Sequence, residues 1–357
     1  MDVDQPPRTR PGDTITRPSG REQIAAAQQV SGLPDEACFL GPEASTETSH
    51  IEEALAAYEC DVVIVVTPPP MHAVQCRAAI AAGKHVYVEK PFCKDLAEAA
   101  AIVAEAEAAG VKLMVSQNAR LLYGLPPLVE LARSGDLGEI TAGLMVKTMH
   151  RGSVHNSGAD DHSYLWEHGV HDFDSMRFVF GSEPKRVFCD SYNPPWSPYK
   201  GGAGTMAWVE FESGARCQFY CSFMTPNNGT KTALEELTGG IYWRLDFERG
   251  TAEYTDGTWK IHRPGQDEPE DTGFSDSTGI PGQSGVVSSA ESVLLDVFHD
   301  YLFKDIEPEQ SGRKNLNTVG LITALGHSSE RGQPIDFADY LAEHTSVLEE
   351  VSEAARL

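Results

Sequence analysis

The sequence has no cysteine pair spaced as CxxC, no apolar run long enough to span a bilayer, and no glycine loop of the form GxGxxG. Each absence removes a class of protein. Seven scattered cysteines (Cys38, Cys60, Cys76, Cys93, Cys189, Cys217 and Cys221) make neither a disulfide framework nor a zinc ribbon, and read as reduced thiols of a cytoplasmic chain. The polar, proline-rich start holds no apolar signal core, so a soluble protein is expected. Positive charge is scarce as well: 28 Lys and Arg face 53 Asp and Glu, for a net charge of −25. A field of that sign repels nucleic acid and anionic membranes, and neither is an expected partner. The acids are spread along the chain, which describes a strongly solvated surface. No internal repeat is found.

What is present is enough chain for two domains: 357 residues, 41% of them hydrophobic. From about residue 20 to 118 the pattern alternates. GREQIAAAQQVSG and HIEEALAAY predict helices, and ACFLG predicts a short strand between them. DVVIVVT is a continuous β-branched run, the mark of a strand buried on both faces. A helix over 71–82, the strand HVYVEK, a helix over 94–109 and the strand VKLMVSQN follow. Short strands alternating with helices predict a parallel sheet of the nucleotide-binding type.

After a connecting helix at 120–135 the grammar changes to successive strands with tight turns, from EITAGLMVKTMH to TWKIHR, interrupted by a helix around 165–180. That pattern predicts an antiparallel sheet. The stretch 264–288 is rich in glycine, serine and acid and reads as a surface loop, with helices over 289–303 and 315–331 and an acidic helical tail closing the chain. The expected fold class is therefore α/β followed by α+β. Residues 1–119 form a Rossmann-type domain that lacks its first strand and glycine loop, and residues 120–357 carry a large, mostly antiparallel open sheet. Either the chain starts late, with MDVD as the end of a second strand, or it has given up the phosphate loop altogether.

Four motifs stand in register: TPPPMH (67–72), AAGKHVYVEKP (81–91), SGDLGEI (134–140) and GVHDFDSMRFVFG (169–181). With the closing stretch NLNTVGLITALGHSSERGQPID, they resemble the Gfo/Idh/MocA oxidoreductases, which include glucose–fructose oxidoreductase and inositol dehydrogenase. The resemblance implies hydride transfer between NAD or NADP and a secondary alcohol of a sugar, cyclitol or related polyol. It implies cofactor contacts at Thr67, Pro68, Glu89, Lys90 and Asn118. His72, which opens a helix, is either a contact of the same kind or a capping residue. It also implies a substrate pocket lined by Arg120, Tyr123, His150 and Arg151, and a homodimer or homotetramer formed through the antiparallel sheet.

The catalytic candidates make chemical sense. A lysine at a strand tip, Lys90, can lower its pKa by desolvation and hydrogen-bond the reacting oxygen. Glu167, His171 and Asp174 share one face if 165–180 is helical, so Glu167 can orient His171 as a general base poised near neutral pH. Asp174 reads as support for the helix. His162, His168 and His171 match no standard zinc spacing, and no metal is expected. Two other functions stay open: a ligand-sensing regulator without catalysis, and a glycosidase that uses NAD transiently.

Overall fold

The computed structural model describes residues 2–3, 29, 40–41, 51–150, 160–225, 240–275 and 286–348. The helix expected at 20–32 and the candidate Arg151 lie outside the described residues.

At the amino end β1 (Asp2–Val3) pairs in parallel with β2 (Leu40–Gly41), which places a short strand in each of the segments MDVD and ACFLG. Helix α1 (Ile51–Ala57) then leads into a parallel sheet of order β3-β4-β5, built from Val62–Val65, His85–Glu89 and Leu113–Ser116. Helices α2 (His72–Ala81) and α3 (Leu96–Ala108) connect these strands. Helix α3 starts where it does because the Asp95 carboxylate caps it, accepting from the Glu98 N–H at 2.8 Å. Ile80, Ile102, Val103, Val86, Val88 and Val115 are all buried in the same core.

The opposite face of this sheet is covered by α6 (Val286–Lys304), whose Leu294 and Phe298 pack on Tyr87 and Met114. Coverage thins along β3, where Val62 still packs against this cluster. Ile64 pairs with Tyr87, and Tyr87 with Met114, so the three lie in one row of the sheet. Yet Ile64 is 54% exposed, and Val66 at the strand's end is 67% exposed. Buried β-branched character on both faces is what the sequence pattern predicts for this strand. The structure gives it only one described neighbour.

Helix α4 (Leu125–Arg133) carries the chain across to the second sheet. Its entry requires Gly124: φ is +63°, and an added Cβ would lie 2.7 Å from the Phe274 backbone. The second sheet has nine strands in the order β13-β12-β11-β10-β6-β9-β8-β7-β14. Its long members are β6 (Ile140–Thr148), β7 (Pro184–Tyr192), β8 (Gly204–Phe211), β9 (Arg216–Ser222) and β10 (Ile241–Phe247). One wing adds β11 (Gly250–Thr255), β12 (Thr258–His262) and β13 (Glu270–Ser275); β14 (Ile335–Asp336) closes the other edge. Neighbours are antiparallel except β6 and β9, which run parallel with Met145 opposite Phe219.

Helices α5 (Val170–Phe180) and α7 (Gly312–Arg331) are the large elements packed on this sheet, and α8 (Phe337–Thr345) follows β14. Phe173 sits on Phe219 with ring centroids 4.3 Å apart, and Phe180 stacks on Phe211 at 4.4 Å. The other face of the sheet exposes Phe188, Met206 and Tyr220.

The segment 264–288 corrects the sequence reading. It contains β13, paired with β12, where Thr272 Oγ1 donates to the Trp259 carbonyl at 2.8 Å. An edge strand has one paired side and tolerates polar, glycine-containing sequence, so its composition mimics a loop. Helix α6 also begins three residues earlier than position 289.

Candidate active site

Lys90 follows the last residue of β4, and its peptide bond to Pro91 is cis. Its backbone N–H donates to the Glu89 carboxylate at 3.2 Å. Its ammonium reaches out of the parallel-sheet domain to the Glu167 carbonyl, 3.0 Å away. A second side chain makes the same crossing: Gln117 Nε2, just past β5, donates to the Val170 carbonyl at 2.7 Å. Two donors from adjacent strand tips therefore pin the start of α5.

That start is not regular. Over Leu165–Gly169 the backbone takes a widened turn in which the Val170 N–H reaches back to the Leu165 carbonyl, an i→i+5 bond. Such turns interrupt the regular helical ladder and recur at functional sites. Here the Glu167 carbonyl inside the turn accepts from Lys90. His171 lies one residue past Val170, and its Nδ1 is buried with no hydrogen-bond partner among the described residues. Among the described residues no bond joins Glu167 to His171 Nδ1. Glu167 is buried, and its backbone oxygen is the acceptor for Lys90.

Burial pulls the His171 pKa well below the ordinary 6.5, reinforced by Lys90, His168 and Lys147. The imidazole is accordingly neutral at physiological pH. Lys90, whose ammonium reaches the Glu167 carbonyl four residues before His171, adds to the depression through its charge. Low dielectric sharpens the coupling.

The other candidates separate into two groups. At the strand tips, Pro68 is exposed, while Thr67 Oγ1 donates to Gln75 at 2.6 Å. His72 is buried, with its ring nitrogens 2.7 Å from the Thr67 carbonyl and 2.8 Å from the Pro91 carbonyl. It stitches the ends of β3 and β4 together, and a direct ligand contact would have to displace one of those carbonyls. Asn118 Nδ2 is engaged by Glu291 of α6 at 2.7 Å. Tyr123 is half-buried, its ring 5.8 Å from the Lys147 ammonium and its carbonyl accepting from Trp259 at 2.6 Å. His150 is exposed and 2.9 Å from the Thr225 carbonyl.

Arg120 corrects the reading most clearly. It is 4% exposed and makes a two-pronged pair with Asp174, at 2.6 and 2.8 Å. Arg177 and Thr318 join the same carboxylate at 3.3 and 2.5 Å. Burial opposes ionisation of Asp174, but Arg120 and Arg177 outweigh it and hold its pKa below the usual range. Arg120 thus braces α5 and does not line a pocket. Asp174 supports the helix, as its position in the sequence suggests.

Sequence reasoning missed a second brace on the same helix. Lys147 of β6 is buried against Asp172 at 2.7 Å, and the Tyr164 hydroxyl donates to the other oxygen of that carboxylate at 2.7 Å. Asp172 and Asp174 flank Phe173 on a helix whose i, i+2 positions face apart, so each anchors a different side of α5. The adjacent acids in HDFD were the available signal. Their buried cationic partners lie 25 and 54 residues away and could not be paired from sequence.

The fold joins a parallel sheet of the nucleotide-binding type to a large, mostly antiparallel sheet. The family model described as oxidoreductase family, NAD-binding Rossmann fold, matches residues 16–117, and the GFO/IDH/MocA C-terminal domain matches 128–253. The chain belongs to the Gfo/Idh/MocA oxidoreductase family. It is 28% identical over 201 residues to 1,5-anhydro-D-fructose reductase of Ensifer adhaerens, covering 55% of this chain and 60% of that protein. It is 32% identical over 173 residues to inositol 2-dehydrogenase of Rhodococcus erythropolis, covering 48 and 49%. The chain thus spans about half to three fifths of the length of these relatives. An oxidoreductase from Agrobacterium radiobacter, solved with NAD+, L-tartaric acid and magnesium, superposes with a TM-score of 0.72 at 20% identity, covering 89% of each chain.

The described residues fit the nicotinamide end of a dinucleotide. The strand tips open at their carboxyl ends, where such ligands bind in parallel sheets. At the seam, Gln117 Oε1 and His171 Nδ1 are buried polar atoms with no partner among the described residues, able to serve a polar ligand.

Proposed function

We propose that this chain is an NAD- or NADP-dependent dehydrogenase acting on a secondary alcohol of a sugar, cyclitol or related polyol. The observation that carries the proposal is the 3.0 Å bond from Lys90 Nζ to the Glu167 carbonyl, which brings the strand-tip ammonium to the turn preceding His171. When bound, the nicotinamide supplies the hydride acceptor. Thr67, Pro68, Glu89, Lys90 and Asn118 would hold it, with His72 fixing the tips of β3 and β4 behind them. His171, neutral under the combined pressure of burial and neighbouring cations, takes the hydroxyl proton on Nε2, the ring nitrogen other than buried Nδ1. Lys90 donates to the same oxygen and stabilises the negative charge that develops there. Tyr123, His150 and Arg151 are the proposed substrate-contacting side chains.

The named activities of the relatives, an anhydrofructose reductase and an inositol dehydrogenase, support this substrate class. We assign the cofactor domain to residues 1–119 and the substrate domain to 120–357. We further propose that the exposed face of the nine-stranded sheet, with Phe188, Met206 and Tyr220, forms a homodimer or homotetramer, and that the protein works in the cytoplasm. No helix among the described residues is long and apolar enough to cross a membrane. The test is to follow NAD(P)H formation with a panel of cyclitols and aldoses while measuring cofactor binding separately. Turnover supports the proposal; binding without turnover on any polyol favours a regulatory protein instead.

A further inference from the structure

Glu291 lies on α6, far from every motif that marks the family, and it gathers the ends of two strands of the other sheet. Its carboxylate accepts from Tyr87 of β4 at 3.1 Å, from Ser116 of β5 at 3.1 and 3.3 Å, and from Asn118 at 2.7 Å. Glu291, Leu294 and Phe298 recur at helical spacing, and the two apolar members are buried against Tyr87 and Met114. The helix thus lays an apolar stripe on the sheet and ends it with one carboxylate at the strands' carboxyl tips.

Ser116 is the register partner of Glu89. Its hydroxyl donates to Glu291 and also lies within reach of the Glu89 carboxylate. Glu89 sits beside a second carboxylate, and burial, then Glu291, raise its pKa against the opposing pull of Lys90 and Ser116. Glu89 in turn accepts the Lys90 N–H. A continuous line of contacts runs from α6 through Ser116 and Glu89 to Lys90.

We propose that Glu291 is a positioning residue: its carboxylate fixes the tips of β4 and β5, and so the direction in which Lys90 leaves the strand toward α5. The reactive groups at the seam come from β4 and α5. Removing Glu291 takes this shared acceptor from Tyr87, Ser116 and Asn118 at once. The inference rests on the dehydrogenase reading for its effect on catalysis, but not for its effect on the strand tips.

The experiment pairs hydrogen exchange of the full chain without ligand with steady-state kinetics, for Glu291→Ala, Glu291→Gln, Glu291→Asp and Ser116→Ala. We expect Glu291→Ala to speed exchange over 87–91 and 113–118 by about tenfold, leaving β8 and β9 unchanged. It should lower kcat by about tenfold, with KM for cofactor within about twofold, the pattern of a misaligned group and not of a lost binding contact. Glu291→Asp should recover most of the loss. If Glu291→Ala does not fold, isosteric Glu291→Gln and Ser116→Ala carry the same expectations. A uniform rise in exchange across the chain, or wild-type kcat in a variant with loosened tips, overturns the positioning role while leaving the dehydrogenase reading intact. Loosened tips in the variants of a chain that never turns over a polyol uphold the tip-fixing role and overturn the dehydrogenase reading.

Discussion

The two sheets of this protein are held together in different ways. In the nine-stranded sheet, every long strand has two described neighbours, and aromatic pairs such as Phe173–Phe219 fasten helix to sheet. In the parallel sheet, the middle of β4 (Val86, Tyr87 and Val88) is buried, whereas Ile64 and Val66 at β3 are more than half exposed. The proposed chemistry draws on the enclosed parts of both: Lys90 after β4 and His171 on α5. The difference teaches that the seam is organised by buried polar braces, which hold α5 in place from beneath, and not by the open edge of the first sheet.

The largest expected effect is on turnover. Lys90→Ala should lower kcat by about 10²- to 10⁴-fold, the usual contribution of a proton-handling group, while NAD(H) binding measured by fluorescence titration persists. Retained turnover would take Lys90 out of the mechanism.

Next come the braces and the core. Arg120→Ala strands the Asp174 carboxylate with part of its compensation gone. It should destabilise the chain by about 3–5 kcal/mol in urea unfolding, the cost of breaking a buried pair. A Arg120→Ala variant that keeps its stability but shows a raised KM for substrate would return Arg120 to the pocket. Phe219→Ala, which opens a cavity beneath α5, should cost about 3–5 kcal/mol by the same measurement. At the other extreme, Ile64→Lys should change stability by no more than about 0.5 kcal/mol, since the side chain it replaces is already in water. A large loss there would mean that β3 is covered in solution, which would erase the contrast between the sheets.

Much of this was legible in the sequence. The β-branched run of β3, the alternation in β4 and the tight turns of the second sheet are local signals, and local signals survive folding. The positions of Lys90 at a strand tip and His171 on a helix were legible because their motifs fix both residue type and element. Arg120 was misread because nothing nearby in sequence shows that Asp174 claims it. Glu291 was invisible for the same reason: its partners stand 173 to 204 residues away. The widened turn before α5 could not be foreseen either: LWEHG holds a glycine, but a lone glycine in a helical pattern does not specify an i→i+5 turn. Polar partners brought together by tertiary packing are what a single sequence conceals.

His171 also links the site to stability. Its folded pKa lies below 6.5, so below that pH the unfolded chain binds the proton first. The stabilising contribution of the neutral ring is present above about 6.5 and is lost as pH falls toward the folded value. Lys90 should be part of the cause. The most direct measurement is an NMR titration of the His171 ring in the wild type and in Lys90→Met. The account predicts a pKa well below 6.5 that rises in the variant, as the nearby positive charge is removed. An identical titration in both proteins would place the lysine and the imidazole in separate environments and contradict it.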